Sequence, residues 1–337
     1  MGLILIGDRR SKSVDYFERA AGRLGVDLQF MPMPYGNEID TFAYHELPGA
    51  AVKIDPPRYD STDLLGAEYN IRTYRAFLER LRGISGVRML NTPEAILDTL
   101  DKRKCKEVLS RTGVAITPVL ADGISDFGEL REWMLLKRKT RVFIKPVFGS
   151  GACGVMAYRI HPVNHREVLY TSALPEGDTL YNTKKLRRFD DSGLIERMVQ
   201  PILRSGAIIE EWLPKARYRD KTYDLRVVWQ FDRMDYLVAR QSSGPITNLH
   251  LNNDALEITA LGLPPVTLVA MEELCKTAVK AFSGLQTAGI DILLTPGTLT
   301  PYIIEINAQG DLIYQDIYNE NRIYRAQLEY MSGICPE

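Results

Sequence analysis

Excess charge is the first thing missing. The 337 residues carry 42 Lys and Arg against 43 Asp and Glu, a formal net charge of −1. Without a global field the chain is not drawn onto nucleic acid or an anionic membrane, and neither is expected as a partner. Cysteine is sparse too. Cys105, Cys153, Cys275 and Cys335 lie far apart, without the spacing of a metal site, which points to reduced thiols and a cytoplasmic setting. Long apolar runs are absent. The opening MGLILIG is too short to span a bilayer, has no basic leader and closes at Asp8, so a signal peptide is not expected. Residue 6 is Ile, which also argues against an acylation signal. No internal repeat, low-complexity tract or heptad pattern occurs. The first turn, at Gly7, lacks the GxGxxG glycines, and no GxxxxGK[ST] run is present, which excludes a dinucleotide fingerprint and a P-loop.

What is present is an ordinary globular composition, 45% hydrophobic and 25% charged, long enough for two or three domains. Residues 2–7 read as a buried strand. Val14 to Leu24 read as a helix on the stripe Val14, Phe17, Ala21 and Leu24, and VDLQFMPM as a second strand. This start predicts an α/β domain with a mostly parallel sheet. In AAVKIDPPRYD, Lys53, Asp55 and Arg58 either line a cleft or form a charged surface loop. Helices are expected over 68–82, 99–112 and 125–136, with Thr92 capping a further one and Gly113 ending the second.

Two stretches carry chemistry. In RVFIKPVFGSGACGVMAYRI, residues 141–160, two strands flank Gly149, Gly151 and Gly154. Glycines let backbone N–H groups approach phosphate oxygens, because no Cβ intervenes. Lys145, near the end of an apolar strand, needs a counter-charge. The other stretch is 287–310, TAGIDILLTPGTLTPYIIEINAQG, two strands joined at Pro296–Gly297. Alternation puts Asp291 in the first strand, and Glu305 and Asn307 in the second, on faces that an antiparallel pairing brings together. Three oxygen donors there suit Mg²⁺, and Glu305 inside an apolar run is costly unless paired or metal-bound.

The remaining stretches are plainer. YNTKKLRRFD, 181–190, is a basic run that reads as a solvated helix face or a mobile cover over an anion. AIIEEWL, 207–213, is an apolar strand with two carboxylates, suggestive of a hinge. DLRVVWQF and YLVAR are expected to form a hairpin pair containing Arg226 and Arg240, followed by a polar loop with Asn248 and His250. A long helix over 267–286, with Val269 among its core contacts, and a closing helix over 319–331 complete the chain.

In this order, the motifs DKRKCKEVLSRTGVAITP, VFIKPVFGSGACGV, IIEEWL, DLRVVW, TNLH and GIDILL…YIIEINAQG resemble the ATP-grasp family over residues 99–311, with the pattern of ribosomal-protein glutamate ligases and features of glutathione synthetase and D-alanine–D-alanine ligase. The resemblance implies ATP-grasp architecture: an α/β N-terminal domain (1–98) and two α+β lobes, 99–206 with the phosphate loop and 207–337 with the metal site. It implies ATP and Mg²⁺ (or Mn²⁺) as cofactors. Lys102 and Lys145 would contact phosphates, and Gly149, Ser150, Gly151 and Gly154 would cover them. Glu210, Glu211, Trp212 and Leu213 would form the adenine hinge. Arg226 and Arg240, with Lys145, would stabilise the transferring phosphate. Asp291, Glu305 and Asn307 would hold the metal, and Asn248 and His250 would face the substrate; Arg58, outside the resembling stretch, is a further substrate candidate from its place in the charged segment AAVKIDPPRYD. Two departures stand out. Asn307-Ala-Gln-Gly-Asp311 lacks the family's Asn-x-x-Pro-Gly proline, and Leu251, Asn252 and Asn253 replace a basic run.

The expected activity is ligation of a carboxylate to an amine through an acyl phosphate, on small molecules or a peptide. The alternatives are a small-molecule kinase on the same scaffold and a nucleotide-binding protein without turnover. A homodimer is expected only on the general prevalence of C₂ assemblies among soluble enzymes.

Overall fold

The computed structural model describes residues 2–58, 62–64, 66–149, 151–177, 179–310 and 321–333. Three sheets follow one another along the chain. The first is parallel, made of β1 (Leu3–Gly7), β2 (Leu28–Pro32), β3 (Ala51–Ile54) and β4 (Arg88–Met89) in the order β2-β1-β3-β4. β1 and β3 are buried along their length, as the inner strands of a covered parallel sheet must be. The helix Lys12–Leu24 buries Val14, Phe17, Ala20 and Ala21, as its apolar stripe predicts.

The second sheet holds β5 (Val119–Asp122), β6 (Arg141–Pro146), β7 (Met156–Ile160), β8 (Glu167–Glu176), β9 (Thr179–Phe189) and β10 (Ala207–Glu211) in the order β5-β10-β6-β7-β8-β9. Its pairings are antiparallel. The helices Phe127–Leu136 and Ser192–Arg204 supply its core through Phe127, Leu130, Ile195 and Met198. The third sheet orders β14 (Asp254–Glu257), β13 (Arg233–Ser242), β12 (Lys221–Gln230), β15 (Thr287–Leu294) and β16 (Pro301–Asn307), with the short β11 (Arg217–Tyr218) paired to β12 off this path.

The first and third sheets share one core, in which Ile4, Val52 and Phe77 join Trp229, Ile290 and Ile303. Asn91 ties them together with polar contacts. Its amide nitrogen donates to the carbonyls of Thr287 and Ala308, each at 2.8 Å, and its oxygen accepts from the amides of Gln286 and Thr287. The chain also returns to its start. The last described helix, Arg322–Ser332, packs Ile323, Tyr324 and Leu328 against Leu3 and Phe17. Among the described residues no helix is long and apolar enough to cross a membrane.

Several expectations are corrected. The helix expected over 99–112 is Lys102–Arg111 and starts later, because Asp101 is extended and its carboxylate caps it by accepting from the Lys104 amide at 3.0 Å, while residues up to Leu100 belong to the preceding helix Pro93–Leu100. Thr92 caps that preceding helix, as expected. The basic run 181–190 is not a helix. It is β9, paired with β8 at 179–182 and 187–189 on either side of an irregularity, so pairing in the sheet overrides the helical appearance of a charged segment. Val269 is 60% exposed, and Met271, Cys275 and Ala278 bury the opposite side of the helix Pro265–Lys280. β10 begins at the 206/207 division but lies inside the second sheet, between β5 and β6.

Candidate active site

The second and third sheets face each other across a crevice, and each contributes one charged cluster. On the second sheet, Lys145 of β6 and Glu210 of β10 meet at 2.7 Å, both nearly inaccessible. The Thr117 hydroxyl also donates to Glu210, at 2.7 Å, and Lys106 stands 3.5 Å from its other oxygen. Lys106 is held in turn by Thr117, through its hydroxyl at 2.6 Å and its carbonyl at 3.1 Å. Burial alone would raise the Glu210 pKa. The two lysines outweigh it and hold the carboxyl below its ordinary value. Lys106 is lowered as well, but there burial is the cause and prevails in spite of Glu210.

On the third sheet, strand register does the positioning. Asp224 pairs with Arg240 across β12 and β13, Arg226 with Asp291 across β12 and β15, and Asp291 with Glu305 across β15 and β16. Directly opposed residues in antiparallel strands project from the same face, so this ladder collects two arginines and three carboxylates. Arg240 lies 2.7 Å from Asp224 and 3.0 Å from Asp291, and Arg226 lies 2.7 Å from Asp291. Lys215, at 3.2 Å, and the Thr247 hydroxyl complete the surroundings of Asp224. Burial disfavours its charge, but Arg240 and Lys215 prevail and hold Asp224 far below the usual carboxylate range.

Whether this ladder can hold a cation turns on Asp291. Its Oδ1 is buried and, despite the nearby Arg226 Nε, makes no aligned hydrogen bond. A carboxylate oxygen left in that state, with Glu305 directly opposite and Asn307 two residues along the same strand, fits a hard cation that takes oxygen ligands. Among the described residues no group of three or more His, Cys, Asp and Glu could hold a metal by itself. The donor set is therefore two carboxylates and an amide, which leaves coordination positions for phosphate oxygens.

The glycine loop connects the two clusters. Lys102 donates to the Gly149 carbonyl and lies 3.3 Å from Glu305, so one ammonium joins the loop to β16. Gly149, Gly151 and Gly154 all have positive φ, at 127°, 64° and 68°. A Cβ on Gly154 would lie 2.8 Å from the Pro146 ring, and one on Gly151 would come within 3.2 Å of the His250 ring. The loop thus rests against the Asn248–His250 segment of the opposite sheet. Ser150 lies outside the described residues.

Two connected cavities result. The crevice has apolar walls from Phe143, Val155, Leu213, Leu293 and Ile304, with Lys145, Glu210, Asp291 and Glu305 at its polar end. Beyond Arg240 and Asn248, which line both, a cavity of about 830 Å³ extends to the first sheet. Arg58, Arg226, His250 and Asn307 line it, together with Gly149 and Gly151. Four of the sequence-derived residues sit differently from the rest. Trp212 packs on Phe143 and Tyr170 rather than lining the crevice. The Glu211 amide is engaged by the Pro118 carbonyl at 2.9 Å, and that of Leu213 by the Glu211 carbonyl at 3.0 Å. The Glu210 side chain points to the lysines.

Lys106, Thr117, Lys215 and Thr247 were not found from the sequence. Lys106 had a usable signal, since it follows Lys102 by one helical turn and shares its face. Gln309, in the loop that departs from the family pattern, accepts from Tyr74 at 2.6 Å and donates to the Ile54 carbonyl at 2.7 Å, which fastens that loop to the first sheet.

No family model matches the sequence, and no curated protein matches it. Solved structures do. D-cycloserine synthetase DcsG aligns over 99% of this chain and 100% of its own, with a TM-score of 0.64 at 14% identity. The macrocyclase MdnC from Microcystis aeruginosa MRC, bound with precursor peptide MdnA, aligns over 99% and 100%, with a TM-score of 0.59 at 13% identity. The ATP-grasp ligase PsnB, complexed with minimal precursor, Mg and ADP, aligns over 97% and 98%, with a TM-score of 0.54 at 14% identity. The chain has the ATP-grasp fold.

Proposed function

We propose that this protein is an ATP- and Mg²⁺-dependent ligase that joins a carboxylate to an amine through an acyl phosphate. The observation that carries the reading is the pairing of Asp291 with Glu305 on one wall of a crevice whose other wall presents Lys145 on Glu210. Charge supports it. Lys102, Lys106, Lys145, Lys215, Arg226 and Arg240 outnumber Glu210, Asp224, Asp291 and Glu305 by two. A magnesium-bound nucleoside triphosphate, with a net charge of about −2, offsets that excess.

The apolar walls of the crevice would take the adenine ring, with the 210–213 segment at its edge. Lys145 and Lys102 would bind phosphates. Asp291, Glu305 and Asn307 would hold Mg²⁺ (Mn²⁺ suits the same donors), which when bound supplies neutralisation of the phosphate charge. Arg226, whose Nε and Nη1 make no hydrogen bonds, stands between the ladder and the large cavity with donors to spare for the transferring group. A substrate carboxylate attacks the γ-phosphorus there, ADP leaves, and an amine then displaces phosphate from the acyl carbon. The glycine loop over His250 keeps water from the acyl phosphate.

Substrate size follows from the cavity. At about 830 Å³ it would accommodate an amino acid with its partner, or a short peptide segment. The first, second and third sheets would correspond to acceptor recognition, phosphate cover and metal holding, with β10 on the side of the phosphate cover. Free thiols at Cys105, Cys153 and Cys275 fit a reducing, cytoplasmic compartment. A screen of carboxylate and amine pairs, read by ADP release and product mass, tests the activity. A ligase releases ADP to completion only when both partners are supplied. Release with a single hydroxyl-bearing substrate and a phosphorylated product would favour a kinase, and binding without any product would favour the non-catalytic reading.

A further inference from the structure

The carboxyl end of the first sheet carries a polar cluster that the nucleotide chemistry does not use. In the order β2-β1-β3-β4 the chain reverses direction across the sheet between β1 and β3, and ligands of open parallel sheets bind outside the carboxyl ends of the strands at such a point. Lys53 and Asp55, at and just past the end of β3, form an ion pair there, and the Ser13 hydroxyl donates to the second oxygen of Asp55. Lys53 is only 7% exposed and sits near the rings of Phe17 and Tyr324, with its nitrogen 5.1 and 5.5 Å from their centroids. Yet Lys53, Asp55 and Ser13 all line the 830 Å³ cavity that leads to Arg226 and Arg240.

An independent feature of the same cavity asks for a donor. Gln327 is fully buried and lines it, and its side-chain oxygen has no hydrogen-bond partner. Asp55 and Gln327 are both acceptors, so the ligand that suits this end carries N–H groups. We propose, resting on the ligase reading, that this end of the cavity receives the amine-bearing acceptor and that Lys53, as the free amine, takes its proton. Asp55 holds the acceptor ammonium. One N–H bond of that ammonium breaks, and its proton passes to the Lys53 lone pair. The released amine attacks the acyl carbon and forms the C–N bond while the C–O bond to phosphate breaks. The second amine proton leaves with the phosphate as hydrogen phosphate. Lys53, now charged, is stabilised by Asp55, which is the ion pair seen.

Burial favours this role, since it pulls the Lys53 ammonium down to about 7. The titratable or charged groups in contact with it are Asp55, just past the end of its own strand, and Tyr324 on the last helix, while Lys12, Arg58, Asp63, Tyr74, Arg226, Arg240 and His250 line the same cavity.

The test compares two acceptors on full-length protein. Hydroxylamine is unprotonated at neutral pH and needs no base, whereas an amino acid does. With the standard amino acids supplied as carboxylates, Lys53→Met should form hydroxamate within about twofold of wild type, and its amino-acid-dependent turnover should fall about a hundredfold or more. Wild-type turnover with the amino acid should also fall below about pH 7 while hydroxamate formation does not. Hydroxamate formation doubles as the check that the variant is folded. Asp55→Asn should raise KM for the acceptor more than it lowers kcat. Equal loss with both acceptors, or no loss with either, overturns the role of Lys53 and leaves the ligase standing. Absence of hydroxamate from the wild type with every carboxylate overturns the ligase reading, and this proposal with it.

Discussion

Glu210 shows how far a single side chain can be committed. It is buried, it faces Lys106 and Lys145, and it takes a hydrogen bond from Thr117. A lysine pair of this kind persists in a protein interior only because a carboxylate lies between its members. Removing that charge leaves two buried cations unpaired. Glu210→Gln should therefore lower unfolding free energy by about 3–5 kcal/mol in denaturant titrations, a larger change than expected from any exposed pair. Glu305→Ala should behave in the opposite way. Glu305 is partly exposed and its ion-pair partner among the described residues, Lys102, lies 3.3 Å away, so the substitution should leave the melting temperature nearly unchanged and abolish ADP release. A loss of fold from Glu305→Ala would mean that its carboxylate is structural.

At the scale of elements, the hairpins decide the geometry. The turn at Pro296–Gly297 makes β15 and β16 an antiparallel pair, which was legible beforehand, but the irregularity between Asp291 and Ile292, which skips Ile304 and places Asp291 opposite Glu305, was not. The strand pair flanking the glycine loop was legible as well. The ion-pair ladder was not, because Arg240 and Asp224 meet through a pairing of β12 and β13 that no local pattern encodes. Thr117 and Glu210 are 93 positions apart, and only the sheet order brings them together. β9 misled for a related reason: Lys184, Lys185, Arg187 and Arg188 carry no strand signal, and the pairings of the flanking residues and of Arg187 and Arg188 with β8 impose one. The glycine loop offers a test at this scale. Gly154→Ala puts a Cβ 2.8 Å from Pro146 at a φ of +68°, a strain of about 1–2 kcal/mol. It should raise KM for ATP through misplacement of the loop, whereas Gly123→Ala, also at positive φ but with open space around it, should only lower stability.

For the whole molecule, the first and third sheets form one body, because they share a core and the last helix folds back on the first, while the second sheet keeps a core of its own. The large cavity is lined by that body and by the glycine loop of the second sheet, with the first sheet closing one end. Acid should open it. Glu210 and Asp224 bind protons less readily in the folded state than in the unfolded chain, since neighbouring cations hold both below their ordinary values. The stability they lend is complete above the unfolded carboxylate pKa of about 4 and is lost as pH falls through the lower folded values. Thermal melts should hold level down to about pH 5 and then drop steeply, and Glu210→Gln should flatten part of that drop.

The claim on which the rest depends is that the crevice between β6–β10 and β15–β16 binds ATP together with a divalent cation. Calorimetric titration of ATP into the protein, with and without Mg²⁺, tests it most directly when repeated on Lys145→Met and Asp291→Asn. Saturable binding that strengthens with Mg²⁺ in the wild type, that weakens at least about tenfold in Lys145→Met and that loses its Mg²⁺ dependence in Asp291→Asn is the predicted result. Binding of equal strength in all three proteins, or none in the wild type, would contradict it.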